Sequence, residues 1–277
     1  MKKVLVVGEN SYIGQAFAAF AHDKYEVKMV SSRNEAWKNT SFAGYDCVLH
    51  CAGIAHASRN PQMEALYYQV NCDLAVAVAG QAKAEGARQF ILLSSILVYG
   101  SQHSEIDDDT VPKPDDFYGL SKLKAEQELA KLASDDFQLC LVRPPMVYGQ
   151  GCKGNFPRLA KLAKRIPFFP DYPNKRSMIY IENLCCFLDN IIDKGNGGIY
   201  KPQNKEYVNT SELVKCMAAC YGRRMRTTKF FNPCIRLLAK RMTVLGKLFG
   251  DLYYSRQGDE DSYNVVDFAD SIKKTIM

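Results

Sequence analysis

No run of eighteen apolar residues occurs in the 277 positions, so no membrane-spanning helix is expected. The opening MKKVLVV is too short for a secretory leader and runs directly into a glycine turn. There are no internal repeats and no low-complexity tract, which sets aside solenoid arrays. Ten cysteines are present without metal-ligand spacing, so no metal site is expected. Cys185-Cys186 is vicinal, while Cys47/Cys51 and Cys216/Cys220 are simple strand- or helix-spaced pairs, many of them in apolar stretches. Free thiols at this density suit a reducing cytoplasm. A net charge of +6 is mild and spread out, which suits an anionic small molecule and does not call for nucleic acid. The 47% apolar content and the length allow a sizeable core with a smaller second part.

What is present begins at the amino terminus. Lys2 to Val7 reads as a buried parallel strand, followed by Gly8-Glu9-Asn10-Ser11-Tyr12-Ile13-Gly14 and a helical pattern from Gln15 to His22. Strand, glycine turn and helix in that order form a dinucleotide fingerprint. Gly8 permits the tight turn and Gly14 lets the helix pack close. The N–H groups at the helix start, around Ser11, Tyr12 and Ile13, face a pyrophosphate. Ser11 stands where the usual pattern has its middle glycine.

The next strand, Tyr25 to Val30, ends in Ser31-Ser32-Arg33-Asn34, and no acid lies between Lys28 and Asn34. A site for NAD normally carries Asp or Glu here for the ribose 2′-hydroxyl. Ser32 and Arg33 suit a 2′-phosphate better, so NADP is favoured and NAD stays open. An ordinary solvated loop is the alternative reading of Arg33. Asp46 to Gly53 reads as a strand closing in the small-residue turn Cys51-Ala52-Gly53, where backbone can approach the cofactor. Phe90 to Ser95 ends in the hydroxyls of Ser94 and Ser95, on the side where open parallel sheets bind ligands. Either serine could instead simply cap the turn that follows.

Tyr118 and Lys122 lie four residues apart and share a helix face. An ammonium so placed lowers a phenol's pKa and readies it for proton transfer. Tyr-x3-Lys alone is a weak pattern; the strands and turns above give it a context.

With these residues in view, the chain resembles the extended short-chain dehydrogenase/reductase superfamily, in particular its nucleotide-sugar epimerase/dehydratase group (UDP-glucose 4-epimerase-like). Gly8 and Gly14 match two of that family's three glycines, and Ser94 to Gly100 resembles its serine motif with Ser95 in the catalytic place. Tyr118 and Lys122 match the catalytic pair, and Val70-Asn71-Cys72-Asp73 its asparagine beside the cofactor. Leu141 to Gly149 resembles the arginine-proline strand containing Pro144. Asn155-Phe156-Pro157 and Arg176 to Leu184 resemble the sugar-nucleotide contacts.

The resemblance implies an α/β fold, a doubly wound parallel Rossmann sheet with a smaller C-terminal substrate-binding part. Residues 1–150 would bind NAD(P), with 177–195 returning to that domain, and 151–176 and 196–277 would form the substrate part. It further implies a cytoplasmic enzyme of surface-polysaccharide precursor synthesis, acting on a nucleotide sugar that is UDP-linked, and is compatible with a homodimer. Ser95, Tyr118 and Lys122 would be catalytic. The cofactor would meet Gly8, Ser11, Tyr12, Ile13, Gly14, Ser32, Arg33, Cys51, Ala52, Gly53, Asn71, Ser94, Tyr118, Lys122 and Pro144. Substrate would meet Ser95, Asn155 and Arg176. Ile96 and Leu97 stand where the family's dehydratases keep an Asp-Glu pair, which disfavours dehydration. That leaves 4-keto-sugar reduction with NADPH, towards which Ser32-Arg33 leans, and 4-epimerisation with bound NAD. A non-catalytic NADP sensor is a third, minor reading.

Four further expectations concern single segments. The acidic, proline-bearing loop Ser101 to Asp116 flanks a site entrance or is merely solvated. Residues 150–165 are locally basic, as a solvated face or a diphosphate neighbour. Residues 229–254 read as a basic amphipathic segment, favoured as a lid helix over a peripheral membrane contact. His50 and His56 are each expected to be satisfied structural histidines.

Overall fold

The computed structural model describes residues 1–55, 60–239, 242–256, 258 and 262–277. His56 lies outside them, as do Lys240 and Arg241 of the basic segment.

Six strands form one fully parallel sheet: β1 (Lys3–Val7), β2 (Glu26–Val30), β3 (Cys47–His50), β4 (Gln89–Leu93), β5 (Gln138–Val142) and β6 (Gly198–Tyr200). Their spatial order is β2-β1-β3-β4-β5-β6. Val4 to Val7 of β1 and all of β4 are buried, as apolar runs covered on both faces should be. Helices supply that cover: α1 (Tyr12–Ala21), α2 (Glu64–Tyr68), α3 (Leu74–Ala84) and α4 (Phe117–Ala130). The helical stretch from Glu64 to Ala84 is interrupted, because a π-helical turn at Gln69–Asp73 separates α2 from α3. Such turns widen the helix and push a residue outward, often at functional sites. Asn71 sits inside it.

The chain divides into two compact units. The first holds the sheet and comprises 1–102, 110–145 and 184–202. The segment rejoining it is therefore 184–202, not 177–195, and it brings β6, which sequence analysis had assigned to the substrate part. Gly-Ile-Tyr is too short to show strand periodicity; its place is fixed by pairing with β5 at Cys140, Leu141 and Val142.

The second unit comprises 103–109, 146–183 and 203–277. Part of the acidic loop belongs to it, since Glu105–Ile106 pairs with Tyr253–Tyr254. Its core stacks Tyr148 on Phe156 at 5.0 Å, and the Tyr148 hydroxyl is hydrogen-bonded to Ser271 at 2.6 Å. It also contains α5 (Asn155–Arg165), most of its helices beyond residue 203, α7 (Thr210–Cys220), α8 (Asn232–Ala239) and α9 (Thr243–Phe249), while α6 (Ile181–Lys194) crosses the boundary between units. Among the described residues no helix is long and apolar enough to cross a membrane. All ten cysteines are free thiols.

Candidate active site

The chain leaves β1 for β2 on one side and then crosses to β3 on the other, so winding reverses at β1 and β3. The crevice beyond their carboxyl ends is where open α/β sheets bind ligands. Gly8 closes β1 with φ +116°, and a methyl there would come within 2.8 Å of the Ala52 nitrogen. Only glycine lets the two turns approach this closely. Gly14 packs on β1, where a methyl would lie 3.1 Å from a Val6 methyl. The Ser11 hydroxyl accepts from the Gly14 N–H at 3.3 Å, so its side chain is the N-cap of α1. Tyr12 and Ile13 form the first helical turn, presenting the positive end of α1 to the crevice.

The Gly8 and Glu9 N–H groups donate to the Val30 carbonyl at 2.9 and 3.2 Å, which hangs the glycine turn on the end of β2. Ser31, Ser32 and Arg33 follow directly. Asn34 and Glu35 turn the chain back with φ +51° and +55°, and the Glu35 carboxylate pairs with Lys38, not with Arg33. Arg33 is exposed, and among the described residues no carboxylate pairs with it. Glycine cradle, helix start and free guanidinium together fit a dinucleotide with its phosphates along the crevice.

A second group gathers at the end of β4. Asp116 caps α4 by accepting from the Gly119 N–H at 3.0 Å. A methyl at Gly119 would lie 2.5 Å from the Leu97 carbonyl, so glycine here lets the start of α4 press against the 3-10 turn Ile96–Tyr99. That contact brings the half-buried Tyr118 beside Ser95, whose hydroxyl favours the ionised phenol. Ser95 also caps its own turn, accepting from the Leu97 N–H at 3.2 Å, as the capping reading expects. The Ser94 hydroxyl is buried without a partner. The Pro144 carbonyl accepts from the Ile96 N–H at 3.0 Å, fixing the serine turn from β5's side.

Lys122 is buried, donates to the Leu93 carbonyl at 2.8 Å, and is held down to about 8 by burial. Burial pushes the Tyr118 phenol up to about 12, opposed by the nearby Ser95 hydroxyl. The net direction is upward, where sequence analysis expected Lys122 to lower it; Lys122 is itself drawn down by burial. Asn71 locks the β3 turn to α4. It accepts from the Ile54 N–H at 2.8 Å and donates to the Ile54 carbonyl at 3.1 Å and the Ser121 hydroxyl at 3.0 Å. Its side chain thus positions the Cys51-Ala52-Gly53 turn, and a methyl at Gly53 would meet Asn71 Oδ1 at 3.0 Å and Lys122 Nζ at 3.2 Å.

His50 is also corrected. It is fully buried, stacked on Phe90 at 6.0 Å, and neither ring nitrogen has a hydrogen-bond partner. Burial lowers it to about 3, so it is neutral.

Sequence reasoning missed one buried network. Glu126 accepts from Arg143 Nε at 3.1 and 3.2 Å, and Arg143 Nη1 donates to the Tyr99 hydroxyl at 2.7 Å. Tyr118, Lys122 and Glu126 recur every four residues on one face of α4, and that spacing was the available signal. The pair ties α4 to the end of β5 and to the serine turn.

Asn155 and Arg176 lie in the second unit. Asn155 opens α5. Arg176 donates to the Gly250 carbonyl at 2.8 Å, and burial pulls its pKa down.

The family described as the NAD dependent epimerase/dehydratase family matches residues 4–201. The chain belongs to this family. Members are nicotinamide-dinucleotide enzymes, which accords with the glycine crevice and the Ser95–Tyr118–Lys122 group. A UDP-glucose 4-epimerase of Vibrio cholerae is 33% identical over 216 residues, a match spanning 73% of this chain and 63% of the relative. An N-acetyl-alpha-D-glucosaminyl-diphospho-ditrans,octacis-undecaprenol 4-epimerase of Escherichia coli O157:H7 is 23% identical over 90% of this chain and 82% of that one. The crystal structure of dTDP-4-dehydrorhamnose reductase from Bacillus anthracis, in complex with NADP, superposes with TM-score 0.69. It is 19% identical and covers 82% of this chain and 83% of that one, a likeness of fold. Among the described residues no group of three or more His, Cys, Asp or Glu could hold a metal.

Proposed function

We propose that this family member is an NADP-dependent reductase of a 4-keto sugar carried on a nucleotide. The observation that carries the reading is the end of β2, where Ser31, Ser32 and an unpaired Arg33 follow the Val30 carbonyl that anchors the glycine turn. A 2′-phosphate there would meet donors and no carboxylate. When bound, the nicotinamide ring supplies hydride to the carbonyl carbon.

Tyr118 then gives its phenolic proton to the sugar oxygen. Held near 12, it is protonated at neutral pH, the state that reduction needs. Ser95 donates to the same oxygen and steadies the charge that develops on it. Lys122 holds the nicotinamide ribose. Asn155 and Arg176 are proposed as diphosphate ligands in the second unit. Ile96 and Leu97 supply no carboxylate for dehydration.

The decisive experiment supplies NADPH and a UDP-linked 4-keto sugar to protein stripped of cofactor, with stoichiometric NADPH consumption expected. Interconversion of two UDP-hexoses with no NADPH consumed, and NAD retained through purification, would replace this reading with a 4-epimerase. The 33% identity to the Vibrio cholerae enzyme favours that second reading. Turnover of either kind excludes a pure NADP sensor.

Arg33→Ala should weaken NADP binding about ten- to a hundredfold, the scale of a lost charged hydrogen bond, and leave NAD binding nearly unchanged. Titration of both cofactors checks this; equal losses would make Arg33 structural.

A further inference from the structure

We propose that the second unit carries a docking face for an anionic lipid bilayer. The inference rests on that unit alone and not on the reaction proposed above. Its first support is charge segregation. Residues 151–170 and 221–250 hold thirteen of the chain's 36 Lys and Arg and none of its 30 Asp and Glu. The remaining chain therefore carries 23 basic against 30 acidic residues, so a mild net charge conceals a strongly basic region in an acidic protein.

The fold joins these two stretches. Phe168–Pro170 pairs with Arg226–Thr228 as a parallel ribbon. The Arg223 guanidinium donates to the Lys164 carbonyl at the end of α5, and the Lys164 ammonium lies 5.6 Å from the Tyr221 ring centre. Asn232 at the start of α8 donates to the Asp171 carbonyl at 2.9 Å. The end of α5, the ribbon and α8 thus form one continuous surface.

The second support is what that surface leaves in water. Phe230 is 81% exposed, Leu237 67%, Phe168 54% and Met242 49%, with Phe231 and Leu238 beside them. A lid helix packed on its own unit would bury such residues. Among the described residues of this segment Ile235 and Phe249 are buried and Leu245 and Leu248 half-buried, while Arg236, Leu237 and Leu238 face out. An open depression of about 490 Å³ is lined by Asn232, Pro233, Arg236 and Leu237. Phe and Leu among Lys and Arg is the composition of helices that lie in the interface of an anionic membrane, and Asp171 is the acid at the ribbon's end. A second copy is a poor occupant, because like charge would face like charge. A nucleic acid would use the cations but has no apolar layer for Leu237, Leu238 and Met242.

Vesicle sedimentation of the full chain tests this. Vesicles of phosphatidylglycerol in phosphatidylcholine should bind it about tenfold or more tighter than phosphatidylcholine alone, and salt should weaken the binding. Phe230→Glu with Leu237→Glu should abolish sedimentation with an unchanged melting profile and unchanged cofactor binding. Lys229→Glu with Arg236→Glu should weaken it too, which guards against a misfolded first variant. The proposal falls if the wild type ignores phosphatidylglycerol or if inorganic phosphate alone competes the protein off. It also falls if both variants bind vesicles as the wild type does, if single-stranded RNA is bound undiminished by the Phe230/Leu237 variant, or if the pair only dissolves a dimer.

Discussion

Tyr118→Phe is expected to cut turnover by about two orders of magnitude or more, the usual scale for removing a general acid or base. The hydroxyl removed is the one beside Ser95, while the ring's edge-on packing with Tyr67, at 6.4 Å between centres, is untouched. Cofactor titration should therefore stay close to wild type, because the glycine crevice and Arg33 do not involve the phenol. Single-turnover rates separate the two effects. A variant retaining more than about a third of the wild-type rate could not have lost its proton donor, and another group would have to be sought.

Glu126→Ala is expected to destabilise the first unit by about 3–5 kcal/mol, because it leaves a buried guanidinium without its carboxylate. Burial works against the Arg143 charge, and Glu126 more than offsets it, with both groups nearly inaccessible. The pair also joins α4 to β5 and, through Tyr99, to the serine turn, so turnover should fall along with stability. Glu126→Gln keeps an acceptor and should lose less. Replacing both Glu126 and Arg143 by Met should recover much of the stability but not the rate, since apolar groups can refill the volume without restoring the tie. Denaturant unfolding reads the first result; wild-type stability in Glu126→Ala would show the pair to be energetically idle.

These two predictions differ in how far the sequence foreshadowed them. Tyr118 was legible because four residues on a helix always share a face, whatever surrounds it. Gly8 was legible because a tight turn after a buried strand needs its backbone freedom, and the observed φ of +116° is that freedom in use. Glu126 and Arg143 were both in view, one a helix turn beyond Lys122 and one in a motif, yet nothing local pairs residues seventeen positions apart. Asn71 was found through resemblance, but its role emerged from Ile54 and Ser121, which the fold brings to it.

Local sequence sufficed for the order of strands and helices through the dinucleotide-binding region, the fingerprint turn, the acid-free end of β2 and the Tyr118–Lys122 face. Each of these depends on neighbours within a few residues, where periodicity and backbone sterics act directly. Tertiary structure alone decided that Tyr118 is raised rather than lowered, that His50 is neutral and unpartnered, that Gly198–Tyr200 closes the sheet, and that two distant basic stretches share one surface. Those outcomes depend on burial and on pairing between segments far apart in the chain, and desolvation is a property of the surroundings that folding assembles, not of the residue.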